Sequence, residues 1–339
     1  MIRFEKNTEL DRAMRNLLLS MVDVDNYLTE ILNYNGRVLT AKMEMEVLNI
    51  LNKYNIPHNG LKYDIKLLTE NPYYKNIKLD NVNTSTVWYE KETIRKRTLM
   101  NMNFYMPMGK YLFHYHPVGY FDTNIDLPVL KEKNKVWMSP ALSEIESMRE
   151  GIEKGYGKCM TMGLGIGVIQ YLWLLKDEVD SVTVVEFNKD VIDLFDEYIR
   201  PQFKTNKKLE IIHGNALDYY NEDFLNQFDY AYIDFWESTE DGLEMYIKLM
   251  EKKLPPPHVD FWIEDSILND VKYIVTSYLY DLYEGKGISN FISSMDGVSK
   301  VVAKKANRYF KSMNNIISTE NQLLDIIHDK TILRELLSQ

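Results

Sequence analysis

Apolar positions recur at intervals of three and four from about residue 8 to residue 54, through Leu10, Met14, Leu17, Leu18, Met21, Leu28, Ile31, Leu32, Val47, Leu48 and Leu51. That period places them on one stripe of a helix, so residues 1–70 are expected to form a helical N-terminal segment. Between about 72 and 138 the pattern changes to short aromatic and β-branched runs, such as Ser85–Tyr89 and Tyr111–Tyr115, separated by Asn, Gly and Pro. This punctuation predicts strands and hairpins, a small β-rich subdomain over 71–138. Ser139-Pro140 predicts a helix start, with Leu142, Ile145, Met148 and Ile152 on its apolar face and Gly155 and Gly157 ending it. Strands are then expected at Lys158–Met162, Ser181–Phe187, Leu209–His213, Phe228–Asp234 and Val259–Glu264, with helical segments between them. Such alternation specifies an α/β domain over 139–339: a doubly wound, mostly parallel sheet with a helical C-terminal extension.

The chain has 339 residues, 45% hydrophobic and 27% charged, which are globular proportions that exclude a disordered or fibrous chain. Forty Lys and Arg against fifty Asp and Glu leave a net charge of −10, which opposes a broad nucleic-acid or anionic-membrane footprint and favours a cationic or neutral small substrate. Cys159 is the only cysteine, so no internal disulfide and no cysteine zinc site can form. With no signal-peptide pattern after Met1 and no apolar run long enough to span a bilayer, a soluble cytoplasmic protein is expected.

Chemistry concentrates where strands end. The first core strand runs into Gly163-Leu164-Gly165-Ile166-Gly167, followed by an apolar helical segment. Glycines there permit a sharp turn and close approach of a ligand to main-chain amides, although a purely structural bend has the same appearance. Glu186 ends the second strand about twenty residues on, the spacing at which a carboxylate reaches ribose hydroxyls; the plain alternative is a solvated strand-end acid. Phe187 and Asn188 follow it, Asn215 and Ala216 follow the third strand, and Asp234, Phe235 and Trp236 follow the fourth. A nicotinamide-binding turn would need a third glycine at position 168, which is valine.

These four strand ends, in this order, resemble the class I S-adenosylmethionine-dependent methyltransferase superfamily over residues 136–265. The resemblance implies S-adenosyl-L-methionine as cofactor. Gly163, Leu164, Gly165 and Gly167 would pass under its methionyl part, Glu186 would hold the ribose, Phe187 or Asn188 would flank the adenine, and Asn215 and Ala216 would read its edge. Asp234 would face the sulfonium and the substrate as the catalytic residue. The layout also resembles the spermidine-synthase branch, whose cofactor is decarboxylated S-adenosylmethionine. It departs from that branch at Ile166, where an acid is expected, and at Asp234-Phe235-Trp236-Glu237-Ser238.

The resemblance implies methyl transfer to a small molecule, preferably an amine, or transfer of an aminopropyl or aminocarboxypropyl arm from the same sulfonium. A non-catalytic cofactor-binding module is a third reading, and a homodimer is compatible with all three. Phe235 and Trp236 either stack on a cationic substrate or pack in the core. His114 and His116 fall on one face of an expected strand, as a substrate wall or two ligands of an incomplete metal site; no metal is expected. Glu144 and Glu146 precede the first core strand, as substrate contacts or a solvated helix face. Glu264 and Asp265 end the fifth strand or cap the helix after it.

Overall fold

The computed structural model describes residues 1–82, 86–103, 108–133 and 135–339. Ser85, in the first expected strand, lies outside the described residues. The N-terminus forms a short strand, β1 (Arg3–Phe4), and two helices, α1 (Thr8–Leu32) and α2 (Ala41–Lys53). Asn7 and Thr40 begin the two helices, their side-chain oxygens accepting the main-chain N–H groups of Leu10 and Met43. Leu10, Ala13, Met14, Leu17, Val24, Tyr27 and Ile31 bury the inner stripe of α1, as the period requires.

Strands β2 (Val87–Ile94), β3 (Ile125–Glu132) and β4 (Lys135–Met138) form an antiparallel sheet in the order β2-β3-β4. The run Tyr111–Tyr115, expected as a strand, is instead a turn. Leu112 takes a φ of 71°, and its N–H donates to Gly109 O while Gly109 N–H donates to Phe113 O. The side chains divide between two cores: Leu112 enters the large one, whereas Phe113 and Tyr115 pack on the smaller cluster of Tyr27, Val47, Leu51 and Leu99.

The expected helix at Ser139-Pro140 begins later, as α3 (Leu142–Ser147). Ala141 stands at its N-cap, where a methyl side chain can make no capping bond, and the edge strand β4 runs as far as Met138. A second short helix, Arg149–Lys154, follows a break at Met148.

The α/β unit then runs β5 (Gly157–Met162), α4 (Val168–Leu174), β6 (Val179–Glu186), α5 (Lys189–Leu194), β7 (Lys208–His213), β8 (Tyr230–Ile233), α6 (Thr239–Lys252) and β9 (Val259–Phe261). All five strands are parallel, in the order β9-β8-β5-β6-β7, so the fold is a doubly wound, Rossmann-like sheet. Tyr230–Ile233 and Cys159–Met162 are buried throughout, as strands in a sheet covered on both faces should be.

The fifth strand is three residues shorter than expected. Ile263 takes a left-handed conformation (φ 46°), and Glu264 opens the long helix α7 (Glu264–Tyr283). No antiparallel strand extends this sheet beyond β9 among the described residues. The chain continues through α8 (Gly297–Ser312), β10 (Ile316–Ile317), α9 (Glu320–His328) and α10 (Lys330–Leu337).

The two ends of the molecule meet. β1 pairs in parallel with β10, and α1 lies against α7 and α9. Glu264 is neither a strand end nor a helix cap: it is buried, accepts from Arg334 Nη2 at 2.6 Å and Nε at 2.9 Å, and takes a further bond from the Tyr246 hydroxyl. Asp265 pairs with Lys330 at 2.8 Å. Among the described residues no helix is long and apolar enough to cross a membrane.

Breaking the Glu264 ion pair from one side leaves a buried carboxylate without its guanidinium. Arg334→Met is therefore expected to lower unfolding free energy by about 3 kcal/mol in urea titrations. The double variant Glu264→Gln/Arg334→Met should recover a substantial part of that loss.

Candidate functional site

In an open parallel sheet the crevice forms where neighbouring strands send their crossovers in opposite directions, and here that point lies between β5 and β8. The chain leaves β5 through Gly163, Gly165 and Gly167, whose φ values of 104°, 52° and 76° all lie on the left-handed side. At Gly163 the requirement is steric as well, because a Cβ would collide with the carbonyl oxygen of Asp234 at the end of β8. The two loops are thus in contact. Asp234 N–H donates to Met162 O at 2.8 Å, and Gly163 N–H to Val185 O at 2.9 Å.

Glu186 ties the next loop to the turn. Its Oε2 accepts from Leu164 N–H at 3.0 Å and its Oε1 from Asn188 N–H at 2.7 Å. Burial raises its pKa, opposed by these main-chain bonds. Asn188 caps α5 by accepting from Asp190 N–H, and Asn215 accepts from Leu217 N–H at 3.0 Å. Phe187 stands 72% exposed beside them, although a large apolar side chain is usually hidden.

Around these residues lies a cavity of about 470 Å³. It is lined by Gly163, Leu164, Gly165, Glu186, Phe187, Asn188, Asn215, Ala216, Asp234, Phe235, Trp236 and Glu144, which the fold brings together from five separate stretches of chain. Gly167 does not line it; a Cβ there would meet the Phe195 ring, so this glycine serves the packing behind the turn. Phe235 and Trp236 both line the cavity, and Trp236, only 5% exposed, also packs in the core, stacking at 6.4 Å on Phe261.

His114 and His116 are elsewhere. His114 is buried against Tyr273, its Nδ1 2.7 Å from the hydroxyl, and burial lowers its pKa to about 4. His116 is likewise shifted down by burial. Neither lies on a regular strand and neither borders the cavity. Among the described residues no group of three His, Cys, Asp or Glu side chains is placed to hold a metal.

Sequence reasoning missed the lining supplied from outside the α/β unit: Val87 from β2, Leu130 and Glu132 from β3, and Trp137 and Met138 from β4. The Met138 sulfur accepts from Ile166 N–H at 3.5 Å, so this hairpin lies directly on the glycine turn. Trp262, with its indole N–H donating to Ser147 Oγ at 2.8 Å, was also missed. So was Gln170, for which a signal existed: it is the one polar residue in the apolar helix α4 apart from the Tyr171 hydroxyl. Its Nε2 donates to Thr161 Oγ1 at 2.9 Å and to Gly163 O at 3.1 Å, whereas its buried Oε1 accepts from no group.

No family model and no curated protein matches this sequence. Solved structures with partial similarity include spermidine synthase from Thermotoga maritima (19% identity, 37% of this chain and 47% of that one, TM-score 0.28). A putative SAM-dependent methyltransferase from Streptococcus mutans follows (10% identity, 46% and 48%, TM-score 0.28). Protein arginine methyltransferase 10 from Arabidopsis thaliana is a third (14% identity, 49% and 50%, TM-score 0.26). The matched region spans about half the length of each of those chains.

The cavity's electrostatics are one-sided. Among the described residues its charged lining consists of Glu132, Glu144, Glu186 and Asp234, with no Lys or Arg. Burial pushes Asp234 up to about 7; burial, and then the Asp234 charge, push Glu144 up to about 8. Glu144 is half-buried and lines the cavity, whereas Glu146, two residues on, pairs with Arg149.

A carboxyl whose folded pKa is raised favours the fold while protonated, and that advantage is lost as pH climbs from the ordinary carboxylate range toward the folded value. Glu144→Gln is accordingly expected to leave Tm nearly unchanged in mild acid and to raise it by a few degrees above about pH 8, followed by calorimetric melting across pH.

Proposed function

We propose that the protein is an S-adenosyl-sulfonium-dependent transferase acting on a small amine, with methyl transfer as the principal reading. The observation that carries it is the cavity at the β5/β8 switch point, which among the described residues has four carboxyl groups, no cationic side chain, and a glycine turn that leaves room for a ligand beside the main chain. An adenosyl sulfonium is a cation, and so is an amine at neutral pH; an acidic, partly apolar cavity suits both.

The residues present fit such a cofactor. Gly163, Leu164 and Gly165 would pass beneath its amino-acid arm. The unpartnered Gln170 Oε1, beside that turn, is an acceptor suited to an ammonium group. Glu186 retains lone pairs beyond its two main-chain bonds for ribose hydroxyls, Asn215 keeps its amide N–H groups for a purine edge, and exposed Phe187 offers a stacking face.

When bound, the sulfonium supplies an activated carbon, so the protein has chiefly to orient the nucleophile and keep water out. Asp234 orients the amine. Phe235, Trp236 and Trp262 wall the cavity with apolar surface, and Phe235 and Trp236 offer ring faces to a cation.

The absence of a cationic side chain also favours a second reading. A methionyl carboxylate would meet no Lys or Arg in this cavity, whereas decarboxylated S-adenosylmethionine lacks that charge, so aminopropyl transfer is the alternative. We further propose a cytoplasmic setting and no nucleic-acid partner, in keeping with the net charge of −10.

Titration calorimetry with S-adenosylmethionine and with its decarboxylated form tests the cofactor, and Glu186→Ala is expected to weaken binding at least about tenfold. Heat from neither compound would remove the proposal. Mass spectrometry of the spent cofactor separates the two readings: S-adenosylhomocysteine from methyl transfer, methylthioadenosine from aminopropyl transfer.

A further inference from the structure

The net charge of −10 is unevenly spread along the chain. Residues 297–319 carry five basic side chains, Lys300, Lys304, Lys305, Arg308 and Lys311, and no acidic one. All five stand on α8, which packs against α7 and α10. Val302, Ala303, Ala306 and Phe310 bury one side of this helix, and a turn of about 100° per residue places Lys300, Lys304, Arg308 and Lys311 together on the opposite side. Lys305 alone turns inward: it is 1% exposed, with its Nζ 2.6 Å from Glu251 Oε1 and 2.7 Å from Gln339 O. Lys304, Arg308 and Lys311 are exposed and Lys300 is half-buried, and among the described residues none of these four joins an ion pair.

This row extends about 16 Å along the helix. Apolar surface adjoins it: Val301, 41% exposed, shares the outer side of α8 with the cations. Beyond the last turn, exposed Arg3 on β1 stands opposite Ile316 on β10, which is 59% exposed. Ile2 N–H donates to Phe310 O at 3.0 Å and Arg3 N–H to Asn315 O at 3.0 Å, so this ladder is fixed to the end of the helix. Acids around the face are engaged or stand at its margins. Glu335 accepts from the Tyr309 hydroxyl at 3.0 Å, Glu251 is taken by Lys305, Asp296 precedes the first turn, and Glu5 follows β1. Like charges four residues apart on a helix repel, so a row of one sign costs stability unless something of opposite sign lies against it.

We propose that the outer face of α8, with Arg3 and Ile316, is a docking surface for an anionic lipid bilayer, on which the protein rests peripherally. Charge complementarity sets the sign of the partner. Val301 and Ile316 favour lipid over nucleic acid, because the boundary between headgroups and acyl chains accepts apolar side chains, whereas a phosphate backbone offers them no complement. The excess of acid over the rest of the molecule confines contact to this face, which makes the association reversible and sensitive to salt. The proposal stands independently of the transferase reading.

Co-sedimentation of the full chain with vesicles tests it. At about 0.1 M salt the wild type is expected to partition onto phosphatidylcholine vesicles containing about one-third phosphatidylserine but not onto phosphatidylcholine alone, and to be released at about 0.5 M salt. Each cation near such a surface is worth about fivefold, so Lys304→Gln/Arg308→Gln should lower the partition coefficient about 25-fold. Lys66→Gln/Lys75→Gln removes the same charge from exposed positions elsewhere and should leave the coefficient within about twofold. Val301→Asn should lower it at least about threefold. All these positions are exposed, so thermal melts of the three variants should match the wild type. No binding to the anionic vesicles, equal binding to the neutral ones, or equal losses in the two charge variants would overturn the proposal. Duplex DNA bound as tightly as the anionic vesicles, with Val301→Asn weakening neither, would overturn it in favour of a nucleic-acid partner.

Discussion

The site depends on one steric fact, the contact between the turn after β5 and the carbonyl of Asp234 after β8. Only a residue without a Cβ fits there, and only one able to adopt φ near 104°. Because the two strands are neighbours whose crossovers diverge, that contact sets the floor of the crevice and fixes how far Asp234 stands from the turn. Glu186 then draws the third loop in, since its two oxygens bridge the main chain at Leu164 and Asn188. The three loops are thereby tied to one another by hydrogen bonds as well as by packing.

On this floor the β-rich hairpin provides a roof, and the polarity of the enclosed space follows from what is missing. The protein carries many lysines and arginines, yet none is among the described residues that border the cavity. Surface pairs such as Lys135 with Glu237 and Arg149 with Glu146 engage the nearby cations at its margins. Unpaired acids in a confined space cost stability. Sites of this kind persist where binding or proton transfer uses the shifted groups.

Much of the α/β unit was legible because local and global signals agree there. Alternation of buried β-branched strands with glycine and asparagine turns has one economical solution, and the strand ends from Gly163 to Asp234 fell where the alternation puts them. Legibility failed where tertiary packing overrode local pattern. Tyr111–Tyr115 has strand-like residues, but its side chains are drawn to two different cores and the main chain turns between them. The Ser139-Pro140 start lost to the preceding edge strand, and Glu264 lost its expected place to Arg334, seventy residues away. The roof residues Glu132, Trp137 and Met138 carried no readable signal, since a hairpin's position over a distant turn is not encoded in its own periodicity.

The two-residue ladder between β1 and β10 has a topological meaning. It staples the beginning of the chain to a point more than three hundred residues later, and α1 lies against α7 and α9 alongside that staple. The N-terminal helix and the helices that follow the sheet therefore form one packed unit rather than two independent appendages.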